Sequence, residues 1–337
     1  MTTKKDQKRI VCIGGGTGTF VVLRGLKQYQ YNLTAIVTMS DSGGSNRRIR
    51  DEFGLLPTSD IRQCLVALSD ENGGVGLLRK LFMYRFEKGT GLAGMTFGNL
   101  FMAALTDIVG SQEEAIRKTG KVLRIKGSVI PVTLSDTNLY ATYADGHTVT
   151  EEHLIDEPTH DGRMPITEVS LKPRAVPNPE AIAAIMSADL VVIGPGDLYT
   201  SVLPNLLVPG IPEALKATKG KIVYVMNLMT KFGQTYNFTA AKHLSVLEQY
   251  LGRAIRYVVV NSAPLSPRVL SIYAKYHEIP VANDLMKNAY YGITTAPVVS
   301  RTVYGKSSSD ELIRSLIRHD SDKLAKILVS LLERSVI

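Results

Sequence analysis

Short apolar runs that stop at glycine, each followed by a stretch of helical spacing, set the rhythm of this chain. Residues 10–13 are such a run, ending at Gly14, and predict a buried strand. Residues 20–26 follow with helical spacing, and residues 33–39 are a second buried strand. Strand, glycine turn, helix, strand is a βαβ unit and implies a parallel sheet. A helix over 59–68, with Ser59 as its N-cap, precedes helices at 77–84, 100–108 and 112–119.

From residue 129 the texture changes. Residues 129–134, 139–143, 147–154 and 166–171 read as short strands, and Ala144-Asp145-Gly146 as the turn joining two of them. The segment 172–179, with three prolines, closes this part. The βα alternation then resumes: a helix at 179–186, strands at 190–193, 221–226 and 257–260, and amphipathic helices at 310–317 and 321–332. The expected organisation is an N-terminal βα part (1–128), a small β-rich insertion (129–178) and a C-terminal βα part (179–337) completing the same sheet. The fold class is α/β, a mostly parallel sheet with helices on both faces.

Composition narrows the setting. The 337 residues are 45% hydrophobic and 21% charged, ordinary for a folded globular chain. The basic stretch 1–9 has no apolar run after it, and no run of about 18 apolar residues occurs, so neither a signal peptide nor a membrane span is expected. Two cysteines, Cys12 and Cys64, each inside an apolar pattern, read as core residues in a reducing compartment. A cytoplasmic location follows. The net charge of +8 is dispersed, no nucleic-acid motif is present and there is no Trp, which favours a phosphorylated small molecule over nucleic acid.

The candidate chemistry lies at the strand ends. Gly14-Gly15-Gly16-Thr17-Gly18-Thr19 joins the first strand to its helix. Glycines let a phosphate approach the backbone, the helix start offers free N–H groups, and Thr17 and Thr19 add hydroxyls. The spacing fits neither the regular dinucleotide fingerprint nor a Walker loop. The second strand ends at Asp41-Ser42-Gly43-Gly44-Ser45, where Asp41 is placed to hold ribose hydroxyls, to seat a metal or to cap a helix. Arg47, Arg48 and Arg50 follow, either as phosphate partners or as a solvated face. A third loop, Gly194-Pro195-Gly196-Asp197, continues to Thr200 and Ser201, and Asp197 can cap the next helix or meet a ligand or metal. Asn227 ends a further strand, and Gly98-Asn99 opens a helix. Such loops converge on one edge of an open α/β sheet. The six histidines are scattered; His147, His153 and His160 are expected at the surface. No G-x-S-x-G elbow occurs.

Taken in order, Gly14 to Gly18, Ser40 to Ser45, Ser59-Asp60-Ile61-Arg62, Phe97-Gly98-Asn99 and Gly194 to Asp197 resemble the gluconeogenesis factor family (the YvcK-like proteins), which is related to the 2-phospho-lactate transferases of deazaflavin coenzyme biosynthesis. The resemblance implies a modified Rossmann-like fold and a nucleotide-type ligand, UDP-N-acetylglucosamine or NAD(P). It also implies a regulatory role in cell shape and wall integrity on gluconeogenic carbon sources, with partners in cell-wall synthesis and a homo-oligomeric assembly. Asp60 joins the candidate site on this basis. Two departures stand out. The transferase branch has adjacent acids after strand two, where Ser42 follows Asp41, and a second acid where Arg62 stands. Mg²⁺-assisted transfer would draw on Asp41, Asp60 and Asp197, but carboxylates are needed to hold the cation. A regulator without turnover is therefore favoured over a transferase of phospho-lactyl groups, and both over an NAD(P)-dependent oxidoreductase.

Overall fold

The computed structural model describes residues 7–71, 73–286, 291–302 and 316–334. β1 (Arg9–Gly14), α1 (Gly16–Leu26) and β2 (Asn32–Val37) form the expected βαβ unit. Five helices follow, α2 (Gly44–Phe53), α3 (Ser59–Leu68), α4 (Gly73–Met83), α5 (Phe97–Val109) and α6 (Gln112–Val122), before β3 (Ser128–Pro131). Next come β4 (Asn138–Tyr143), β5 (Thr148–Thr150), α7 (Glu152–Asp156) and β6 (Ile166–Lys172). The third part holds α8 (Pro179–Met186), β7 (Leu190–Ile193), a π-helical turn (Leu198–Val202), α9 (Leu203–Leu206), α10 (Ile211–Ala217), β8 (Lys221–Val225) and α11 (Ala240–Leu251). It ends with β9 (Tyr257–Asn261), α12 (Pro267–Ala274), β10 (Gly292–Ala296) and α13 (Ser321–Glu333).

Seven strands form one parallel sheet in the order β10-β9-β8-β7-β1-β2-β3. The chain runs outward from β1 to β3 on one side, then starts again at β7 on the other. The switch in direction between β1 and β7 leaves a crevice beyond their carboxyl ends, where open α/β sheets bind ligands. Alternate residues feed two cores. Val11, Ile13, Val191 and Ile193 face Ile185, Leu215 and Leu247 of α8, α10 and α11. Ile10, Cys12, Val192 and Val223 face Val22, Leu65 and Leu328 of α1, α3 and α13. Each fully buried side chain of this kind contributes about 1.5–3 kcal/mol. Both cysteines belong to the second core, and burial pushes the Cys12 thiol up to about 12. The α/β, Rossmann-like reading holds, with helices covering both faces.

The differences from the sequence pattern have local causes. β3 pairs with β2 at the edge of the large sheet, so residues 129–134 lie there; only β5-β4-β6 make the small antiparallel sheet. Its Leu139, Ala141 and Ile166 enter the first core. The strand read at 147–154 ends after three residues, and the backbone turns at Glu151 (φ 80°) into α7. α1 begins four residues before the expected start, which draws Gly16 to Thr19 into its first turn. Thr58, not Ser59, is the N-cap of α3. β10 carries no continuous apolar run, because it is a half-exposed edge strand. The helix read at 310–317 lies outside the described residues except for its last two positions. No helix of the described residues is long and apolar enough to cross a membrane.

Candidate functional site

The glycine loop owes its sequence first to close packing. A Cβ on Gly18 would lie 1.9 Å from the Pro195 carbonyl oxygen, so the turns after β1 and β7 touch across the switch point. A Cβ on Gly15 would lie 2.2 Å from Asp60 Oδ2, which sets that carboxyl group against the loop. Thr19 is buried and donates its hydroxyl back to the Gly15 carbonyl, so it serves the helix and not a ligand.

The N-termini of α1 and α2 carry glycine N-caps, Gly15 and Gly43, without side-chain caps and without an acid in the first turn. Their positive dipole ends thus face one cleft, with the Asp60 carboxyl group beside the start of α1 and Asp41 taking the Gly43 N–H. Both helix starts open into this cleft, which also takes in Pro195 to Asp197, Thr200 and Ser201. Of the candidate residues, Gly15, Gly16, Thr17, Gly18, Asp41, Gly43, Gly44, Ser45, Arg48, Asp60 and Asn227 also line it. Gly14, Thr19, Ser42, Gly98, Asn99 and Gly194 do not line it and stand behind it.

Those residues build the wall. Asp41 accepts the Gly43 N–H at 2.9 Å and the Asn46 amide at 2.6 Å. Asn46 Oδ1 in turn accepts the Thr58 and Ser59 N–H groups and the Ser59 hydroxyl. Asn99 donates to Ser45 and Ser59 and accepts Arg62 Nε at 2.9 Å. The network fixes the loop after β2 to the starts of α3 and α5. Gly98 is needed because a Cβ there would meet Arg62 and the Phe82 backbone. Arg62 is a buried cation that ties α3 to the end of α4 through the Phe82 carbonyl and Met83 Sδ. Arg48 lines the cleft while donating to the Ala93 and Gly91 carbonyls. Arg50 is turned to Asp136 and Asn138, and Arg47 stays exposed near Asp51.

The rest of the lining was not visible in the sequence. Glu152, His153 and Asp156 of α7, with Lys231, Glu278, Arg318 and His319, complete the cleft. Asp156 lies 3.5 Å from Lys231 and accepts Gln234 Nε2 at 2.8 Å. Burial raises Glu152 well above the carboxylate range, and the charges of Asp41, Asp156 and Asp60 add to it. Burial lifts Asp156 to about 6 and Glu278 to about 7, against the opposing pull of Lys231. Burial works against the charge of Lys231, but Asp156, Asp197 and Glu278 outweigh it and the ammonium is held. The usable signal was the i,i+4 spacing of Glu152 and Asp156, which puts both on one helical face. His153 is half-buried in this part of the lining, contrary to the surface position expected of it. His147 and His160 pack with the Tyr143 ring, away from the cleft.

Among the described residues no three His, Cys, Asp or Glu side chains gather to hold a metal ion. Asp41, Asp60 and Asp197 therefore do not meet as a cation's ligand set. The cleft brings backbone donors at two helix starts and the cations Arg48, Lys231 and Arg318 together with carboxyl groups able to accept from hydroxyls, a lining suited to an extended anion that also carries hydroxyls.

A family model, 2-phospho-L-lactate transferase CofD, matches residues 10–299. A protein of Aquifex aeolicus is 41% identical over 97% of this chain and 98% of its own length. The Gluconeogenesis factor of Bacillus subtilis is 40% identical over 97% of this chain and 99% of its own. A solved crystal structure of a Bacillus halodurans protein superposes with a TM-score of 0.86 at 38% identity, over 96% of this chain and 100% of that one.

Proposed function

The chain belongs to the CofD family and, within it, to the gluconeogenesis factors, and on that premise we propose that it is a cytoplasmic regulatory protein that binds a UDP-sugar, with UDP-N-acetylglucosamine as the reference ligand. One observation carries this reading: two uncapped helix N-termini, those of α1 and α2, open into a single cleft at the switch point. A diphosphate offers a phosphoryl group to each, and Arg48 adds charge at the rim. The carboxyl groups of Glu152, Asp156 and Glu278 suit the hydroxyls of a sugar. The role in cell shape and wall integrity on gluconeogenic carbon sources, through partners in wall synthesis, belongs to the same reading.

The family match to a transferase favours a second reading, transfer of a phospho-lactyl-type group with Mg²⁺. Ser42 and Arg62 weigh against it. Arg62 puts a buried cation where that chemistry calls for a carboxylate. Calorimetry with UDP-N-acetylglucosamine, NADPH and GTP separates the alternatives. Saturable binding of the first with no turnover supports the regulator. Binding of NADPH alone removes the UDP-sugar reading, and a Mg²⁺-dependent product from a phospho-lactyl donor replaces the regulator with the transferase.

A further inference from the structure

Ser42 is engaged by the first turn of α7 and does not line the cleft. Its hydroxyl oxygen accepts the His153 backbone N–H at 3.2 Å and lies 3.0 Å from His153 Nδ1. Its own backbone N–H donates to the Glu152 carboxyl group. Ser42 is buried, so its hydroxyl proton needs an acceptor, and His153 Nδ1 lies within reach of it. When Nδ1 accepts, the neutral imidazole carries its proton on Nε2. His153 lines the cleft beside Gly43 and Gly44, where α2 begins. Glu151 Oε2 also lies near the ring, 3.4 Å from Nδ1, but its carboxylate is half-exposed to water and farther away than Ser42, which is the hydrogen-bond partner of Nδ1.

We propose that His153 is a ligand-binding residue, whose Nε2–H donates to a phosphate oxygen seated at the start of α2, and that Ser42 is the positioning residue that fixes this tautomer. An acid at position 42 would do the reverse. A carboxylate accepts from Nδ1–H and turns Nε2 into an acceptor, which repels a phosphate oxygen. The serine and the histidine thus belong together: the insertion supplies a donor that the loop after β2 keeps in the right tautomer. This inference rests on the nucleotide-binding reading and adds a specific contact to it.

The test is a set of four variants measured by calorimetry with UDP-N-acetylglucosamine and with inorganic pyrophosphate, alongside thermal midpoints and ¹⁵N NMR of the imidazole. The wild type is expected to show the Nε2–H tautomer. In His153→Gln the amide NH₂ stands in for Nε2–H and affinity is kept within about threefold, whereas His153→Asn, whose shorter amide cannot reach, loses about tenfold or more, the size of one charge-assisted hydrogen bond. Ser42→Asp is expected to move the proton to Nδ1 and lose a similar factor, while Ser42→Thr keeps both. Unaltered affinity in His153→Asn, with the wild type binding normally, overturns the role of His153 and leaves the nucleotide reading intact. An Nδ1–H tautomer in the wild type overturns the role of Ser42. A wild type that binds neither probe removes both the inference and the reading beneath it.

Discussion

Glu278 shows how far a single side chain can be moved by its surroundings. Burial lifts its carboxyl group to about 7 from an ordinary 4.5, Asp197 and Asp156 adding to the rise while Lys231 opposes it. Below 4.5 the group is protonated in the folded and unfolded chain alike and costs nothing. Between 4.5 and 7 the unfolded chain ionises while the folded one keeps its proton, so stability falls as pH rises. Above about 7 that loss is complete. Glu278→Gln, which imitates the protonated group, should therefore raise the thermal midpoint at pH 8 and leave it unchanged near pH 4.5; equal midpoints at both pH values would show that the carboxyl group is not perturbed. At this scale the sequence was half legible. Asp41, Asp60 and Asp197 stand beside glycine turns and declare themselves. Asp156, Lys231 and Glu278 are separated by dozens of residues and meet only because α7, the turn after β8 and the end of α12 fold onto one edge.

Among the elements, α1 and its glycine loop carry the site. Gly18 is held by the backbone of Pro195, and a carbonyl oxygen 1.9 Å from a new methyl group cannot rotate away. Gly18→Ala should cost about 1–3 kcal/mol or more by overpacking, and also separate the two turns that frame the anion site. Gly74→Ala on exposed α4, where nothing lies within 4 Å, should instead stabilise by about 0.4–1 kcal/mol. Chemical denaturation of the two variants checks the pair, and equal effects would remove the contact across the switch point from the account. The misread element was α7. Residues 151–153 are Glu-Glu-His, three polar positions in a row that end the alternation of β5. The break is made by Ser42, 111 positions away, which receives the first turn of the helix.

At the scale of the molecule, the parallel sheet and its switch point place every loop. β1, β2 and β7 were legible because buried parallel strands are continuous apolar runs. β3 and β10, the two edge strands, were harder. β3 was read as a strand but assigned to the insertion, and β10 has too few apolar residues to register. The convergence of the loops after β1, β2, β7 and β8 on one cleft is the fact on which the functional reading rests. A crystal soaked with UDP-N-acetylglucosamine tests it most directly. The account predicts the diphosphate against Gly15 to Gly18 and Gly43 to Ser45, with the sugar toward Glu152 and Asp156. A nucleotide bound elsewhere, or a diphosphate that leaves both helix N-termini untouched, would contradict it.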